Sequence, residues 1–247
     1  MENPWAFFDR VCVISLEDAE DRRSTLKPEL ERFPGLKYEI VKAVDGRKNP
    51  ILRRWFELTH VTSSPYPQTN GALGCFASHR RVYQMVLEDA VKFPSWTLVL
   101  EDDMRFHPML TNDIMKMYLA NVPPDAQHLK FGYLKKDSVT YSRANKYWWN
   151  LSQKSAYSTI AYAIRSDVLP NILAARDLSV SIDCLMMDHT YGAAMLEDAC
   201  GLPDTSEFRK YENPNTDKPE YFWGFAGVAD YPSTTMTTSK DKKVVYT

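Results

Sequence analysis

The sequence predicts a mixed α/β fold with a largely parallel central sheet, and three observations carry that prediction. Short apolar, β-branched runs alternate with stretches of helical spacing, as where residues 10–16 are followed by Leu26, Leu30 and Phe33. The first two apolar runs are joined by one such stretch, a β-α-β order that favours parallel pairing. A third apolar run ends abruptly in Glu101-Asp102-Asp103, where open α/β sheets place their ligands.

The elements follow in order. Residues 10–16 read as a buried strand, and Asp18 with Asp21 marks a helix start whose acids sit on the positive end of the dipole. Pro34-Gly35 stops that helix, and residues 38–44 form a second strand closed by the turn signal Asp45-Gly46. Residues 47–58 read as a short helix, 59–69 as a mobile polar loop, and Asn70-Gly71 opens a strong helix. On it Phe76, Arg80, Tyr83, Leu87 and Ala90 fall on one stripe, with Cys75, His79, Val82 and Val86 beside it. Strands are predicted at 97–100, 129–134 and 158–165, and helices at 167–176 and 183–196. From Gly201 onward Pro, Asn, Asp, Ser and Thr dominate, which predicts long loops with little regular structure. No repeat or linker divides the chain, so residues 1–247 are read as one domain.

Composition narrows the function classes. A chain of 247 residues with 44% hydrophobic and 25% charged residues builds a full core and is neither disordered nor a disulfide scaffold. Thirty basic against thirty-two acidic residues give a net charge of −2, with no bulk electrostatic case for nucleic acid or an anionic membrane. The apolar runs 11–16 and 96–100 fall far short of a bilayer span, and the N-terminus lacks a secretory pattern. The expectation is a cytoplasmic chain, or one at a cytosolic membrane face, with no transmembrane segment. Cys12, Cys75, Cys184 and Cys200 are widely spaced, so buried thiols are the better reading than a four-cysteine zinc site.

Four segments carry candidate chemistry. Glu101, Asp102 and Asp103 repel one another unless a cation offsets them, and hard oxygen ligands suit Mg²⁺ or Mn²⁺; Glu101 and Asp103 share a side if the backbone stays extended. Gly71 and Gly74 let a backbone or ligand approach the helix opening, whose free N–H groups favour an anion, and His79 lies one turn further in. Taken alone, that histidine is more often a satisfied core residue. Arg22-Arg23 suits a diphosphate or a base edge, although pairing with Glu20 or Asp21 on the surface is the blander account. Asp183 is placed as an N-cap or a general base, and Asp188-His189 are adjacent, so they do not share a helix face. Tyr147-Trp148-Trp149 reads as a sugar-stacking platform or as buried core.

Each segment is ambiguous alone, but their order is specific. Val13-Ile14-Ser15-Leu16 with Arg22-Arg23, then Lys42 to Arg47, Gly71 to His79, Thr97 to Asp103, residues 158–173 and Ser181 to Asp188 resemble glycosyltransferase family 25 over about residues 10–190. That family includes bacterial lipooligosaccharide galactosyltransferases and procollagen galactosyltransferases. The resemblance implies a GT-A type fold that binds a nucleotide-diphosphate sugar, with galactose or glucose on UDP as donor, and Mn²⁺ or Mg²⁺. By position, Glu101 and Asp103 resemble the metal ligands, with Asp102 in the same metal and diphosphate motif. Ser15, Leu16, Arg22 and Arg23 resemble the donor-nucleotide segment, Ala43, Val44, Asp45 and Gly46 the turn beside the base or ribose, and Gly74, Ser78 and His79 the helix motif. Ser15 stands where the family usually has Asn, and Ser181 where Pro usually precedes the acid. Residues 191–247 match no family segment and are expected to face the acceptor.

The resemblance further implies inversion by in-line attack of an acceptor hydroxyl from a glycan, a lipid-linked sugar or a protein. Asp183 is the expected base, with Asp188 behind it. Two other readings stay open at this point: a metal-dependent phosphoesterase or nucleotidyltransferase using the same carboxylates, and a transferase-like scaffold without turnover.

Overall fold

β1 (Arg10–Ser15) shows how the layers arise, because a strand's side chains alternate between its two faces. Val11 and Val13 enter one hydrophobic cluster, while Cys12 and Ile14 enter another. β3 (Trp96–Glu101) repeats the pattern, with Leu98 and Leu100 on the first face and Val99 on the second. A sheet buried on both faces needs helices on both, which explains why these strands read as unbroken apolar runs. The computed structural model describes residues 2–59, 69–89, 93–135, 141–151, 156–175, 189–204, 208, 210–211 and 220–228.

The first face is covered by α1 (Glu20–Glu31) and α4 (Asn112–Ala120), through Leu26, Leu30, Met115, Tyr118 and Leu119. The second is covered by α2 (Pro50–Thr59), α3 (Asn70–Glu88) and α5 (Leu169–Ala174), through Phe56, Phe76, Val82, Tyr83 and Ile172. The side chain of Thr69 caps α3 by accepting from the amide of Ala72 at 3.1 Å. α1 begins two residues later than Asp18: Ala19 is its N-cap, and Asp18 pairs with Lys48 at 2.6 Å instead. The buried face of α3 straddles both predicted stripes, since Arg80 on the first turns to the carbonyl oxygens of Ile172 and Leu173. Among the described residues no helix is long and apolar enough to cross a membrane.

The main strand order is β2-β1-β3-β8-β5-β9-β7-β6, where β2 is Glu39–Lys42, β5 His128–Lys135, β6 Ser142–Arg143, β7 Trp148–Asn150, β8 Ala156–Arg165 and β9 Thr190–Ala193. Along this order β2, β1, β3, β5, β9 and β6 point one way and β8 and β7 the other, so the sheet is mixed and largely parallel in direction. The chain leaves β1 for β2 on one side and returns to β3 on the other. That reversal makes a topological switch point at the carboxyl ends of β1 and β3.

Two expectations are corrected. The helix predicted over 183–196 is not formed in its described part: residues 190–193 are β9, held between β5 and β7, and the helix α6 (Leu196–Cys200) follows. Gly192 suits the strand because a Cβ there would stand 2.5 Å from Cζ of Tyr133. The chain beyond Gly201 also supplies strands: β10 (Lys210–Tyr211) pairs β11 (Glu220–Gly224), which pairs β5 at Gly132–Leu134. β12 (Ala226–Val228) pairs β4 (Met104–Phe106). Gly224 permits this turn, with φ +89° and a would-be Cβ 2.2 Å from the carbonyl oxygen of Phe131.

The aromatic run at 147–149 divides by strand alternation. Trp148 is fully buried and donates from Nε1 to the carbonyl of Tyr118 at 3.0 Å, so it is core. Trp149 faces the other way, beneath Lys135 and Arg143.

Candidate active site

The switch point holds a cleft open to solvent. Its floor and walls come from the ends of β1 (Ile14, Leu16), the loop after β2 (Ala43 to Arg47), α1 (Arg22), α3 (Gly71, Cys75, Ser78, His79) and the end of β3 (Glu101 to Asp103).

Strand alternation decides where the three carboxylates go. Glu101 shares the pleat side of Val99 and so faces α3, where its Oε1 lies 3.4 Å from Nε2 of His79 and accepts from the Thr159 hydroxyl. The backbone turns at once after Glu101, so Asp103 does not stay on its side. Asp102 and Asp103 instead meet Nη1 of Arg22, at 3.0 Å to Oδ1 and 3.2 Å to Oδ2 respectively. Ser15, on the α1 side of β1, donates to Asp102 at 2.8 Å and accepts from Nη1 of Arg23 at 2.9 Å. Arg23 also donates to the carbonyl oxygens of Leu16 and Glu17, bracing the strand end.

These environments separate the acids. Burial alone would raise the Glu101 carboxyl, but His79 and Thr159 outweigh it and hold it below the usual range. Burial, together with the charges of Glu101 and Asp102, pushes Asp103 up to about 7 against the pull of Arg22. The hydrogen bonds of Asp45 to Arg47 hold Asp45 low, with contacts of 3.0 and 3.1 Å to the guanidinium. Asp103 gives a pH signature. Its folded value lies above the roughly 3.9 of an unfolded aspartate, so the folded chain holds the proton more tightly and stability falls as pH rises between those values. In EDTA, the urea midpoint of the wild type relative to Asp103→Asn is therefore expected to drop from pH 4 to pH 7, and a flat difference would contradict it.

The loop after β2 is seated directly on α3. Ser78 accepts from the amide of Val44 at 2.8 Å and donates to the carbonyl of Gly74 at 2.7 Å. A Cβ on Gly46 would meet the Asn70 carbonyl oxygen at 1.8 Å, and one on Gly74 the Val44 carbonyl oxygen at 2.5 Å. Both glycines therefore let the two backbones approach closely. Gly46→Ala is expected to lift the loop from α3 and cost about 1–3 kcal/mol, read from denaturant unfolding, with donor binding weakened as well.

The predicted residues thus assemble unevenly. Leu16, Arg22, Ala43, Val44, Asp45, Gly46, Ser78, His79, Glu101, Asp102 and Asp103 line one cleft; Ser15, Arg23 and Gly74 support its walls. Asp183 and Asp188 lie outside the described residues. The blander reading of Arg22 is replaced, whereas that of His79, a buried and satisfied imidazole, stands alongside its place in the cleft lining. Arg22 pairs with Asp102 and Asp103 rather than with Glu20 or Asp21, and His79, although buried, faces Glu101. Sequence reasoning missed Arg47, which continues the Asp45-Gly46 turn, and Cys75 as a cleft residue, one helical turn before His79.

The family described as "Glycosyltransferase family 25 (LPS biosynthesis protein)" matches residues 8–186, which takes in every described wall of this cleft. The chain belongs to glycosyltransferase family 25. Among relatives, mouse procollagen galactosyltransferase 2 is 34% identical over 116 residues, covering 44% of this chain and 18% of that protein. A Drosophila melanogaster glycosyltransferase 25 family member is 28% identical over 115 residues, with the same two shares, 44% and 18%. The chain thus matches only about a fifth of the length of these curated relatives. A solved glycosyltransferase involved in glycosylation of the major capsid of PBCV-1 aligns at 13% identity and a TM-score of 0.31, over 66% of this chain and 62% of that one.

For a family 25 glycosyltransferase, the residues present fit a divalent cation on one specific ground. Among the described residues, Asp103 Oδ1 is buried without a hydrogen-bond partner, while its other oxygen shares the Arg22 guanidinium with Asp102 and the Glu101 charge stands nearby.

Proposed function

We propose that this glycosyltransferase moves a hexose from a UDP-sugar to an acceptor hydroxyl with inversion, on a GT-A type scaffold. The observation that carries the reading is Oδ1 of Asp103, buried in the lining of a switch-point cleft with no hydrogen-bond partner among the described residues. Asp103 and Asp102 would hold Mn²⁺ or Mg²⁺, with Glu101 alongside, and that cation would neutralise charge developing on the nucleoside diphosphate. Arg22 supplies fixed positive charge at the same place. The loop from Ala43 to Gly46, clamped by Ser78, provides the ledge for the base or ribose. Galactose is the first donor to try, because the names of the mouse and human relatives specify galactosyl transfer. A glycan, a lipid-linked sugar or a protein hydroxyl remains the acceptor class.

By family resemblance Asp183 removes the acceptor proton, with Asp188 in reserve. Asp183→Asn is expected to lower turnover about 100-fold while donor binding survives. Equal rates in the two proteins would remove Asp183 as the base.

The deciding experiment assays nucleotide release from UDP-, GDP- and CMP-sugars with Mn²⁺, with and without EDTA, and repeats it with acceptor hydroxyls of each class. EDTA-sensitive UDP release from one sugar supports the reading. Release of sugar phosphate and UMP instead of free UDP would replace transfer by cleavage of the diphosphate linkage, and absence of both nucleotide binding and release would overturn catalysis.

A further inference from the structure

Cys75, His79 and Glu101 form a second ligand set in the same cleft, of different chemistry from Asp102 and Asp103. Cys75 and His79 lie four residues apart on α3 and so share one helix face, while Glu101 leaves β3 opposite them. A thiol sulfur, an imidazole nitrogen and a carboxylate oxygen from the three lie within 4.8 Å of one another. The hydroxyl of Tyr162 sits 2.7 Å from Nδ1 of His79 and 2.8 Å from the Tyr83 hydroxyl, which leaves Nε2 turned toward Glu101. Thr159 fixes Glu101 in turn. Outer bonds of this kind set the aim of imidazole and carboxylate ligands in metal sites.

We propose that Cys75, His79 and Glu101 bind a borderline-soft divalent cation of the zinc class, with the fourth position open to the cleft. Sulfur and nitrogen donors select for such an ion over Mn²⁺ or Mg²⁺, which the all-oxygen pair Asp102 and Asp103 suits. Three protein ligands with an open position match an accessible zinc site rather than a closed structural one. An ion bound there engages Glu101 and so draws on the carboxylate wall of the cleft. The proposal stands on these three side chains and does not require the transferase reading.

The test is a titration of the EDTA-stripped whole chain with Co²⁺, whose spectrum reports thiolate ligation. The expected result is a near-ultraviolet sulfur-to-cobalt band with visible bands of four-coordinate cobalt, bleached by Zn²⁺ and untouched by excess Mn²⁺. Cys75→Ala, a helix-favouring replacement at a half-buried position, is expected to abolish the near-ultraviolet band and weaken Zn²⁺ binding upwards of ~100-fold. Tyr162→Phe retains all three ligands and is expected to keep the band with about 10–100-fold weaker binding. Absence of a sulfur-to-cobalt band in the wild type would overturn the site, as would its persistence in Cys75→Ala.

Discussion

Asp103→Ala is expected to lower transfer about 1,000-fold or more at saturating Mn²⁺, with the fold intact by circular dichroism. Asp103 is 4% exposed, one of its oxygens rests on Arg22, and the other has no hydrogen-bond partner among the described residues. Alanine removes the oxygen best placed for a cation and leaves Arg22 to Asp102 alone. Asp103→Asn separates charge from shape: it keeps the volume, loses the anion, and is expected to match alanine in rate. In EDTA it should melt no lower than the wild type, because it relieves the crowding that pushes Asp103 up to about 7. Undiminished, EDTA-sensitive turnover in Asp103→Ala would take the cation away from this residue.

Legibility in the sequence followed the range of the signal. β1, α1, β2, α3 and β3 were readable because each has a local cause: an apolar run, a helical stripe, a turn at Asp45-Gly46, a helix opening at Asn70-Gly71. β9 was not, because residues 190–193 carry no alternation of their own and become a strand only when β5 and β7 offer edges on both sides. β11 is similar, since its partner Gly132–Leu134 lies almost ninety residues earlier. At the site, the order of motifs brought the cleft together, but not how its acids divide. An extended Glu101-Asp102-Asp103 would put the first and third on one side, and the turn after Glu101 instead pairs the second with the third. Cys75 carried a visible signal, its four-residue spacing to His79, whose meaning depends on Glu101 arriving from a different element.

Arg22→Met is the complementary substitution, and its expected effect is on stability first. Arg22, Asp102 and Asp103 have side chains only 12%, 9% and 5% exposed, with Nη1 of the arginine 3.0 and 3.2 Å from the two carboxylates. Removing the cation from a buried cluster strands its anions, a loss of about 3–5 kcal/mol. For a chain of this size that lowers the melting temperature in EDTA by roughly 6–20 °C. Two responses distinguish this cause from lost packing by the arginine stem. Mn²⁺ should raise the melting temperature of the variant more than that of the wild type, because the ion then offsets charge that Arg22 no longer does. Acidification toward pH 5 should narrow the gap between the two proteins, because protonated Asp103 no longer needs a counter-charge. A gap insensitive to both Mn²⁺ and pH would assign Arg22 to packing alone. A gap that closes with either makes the guanidinium a resident counter-ion, holding together in the metal-free chain the carboxylates that a bound cation would otherwise hold.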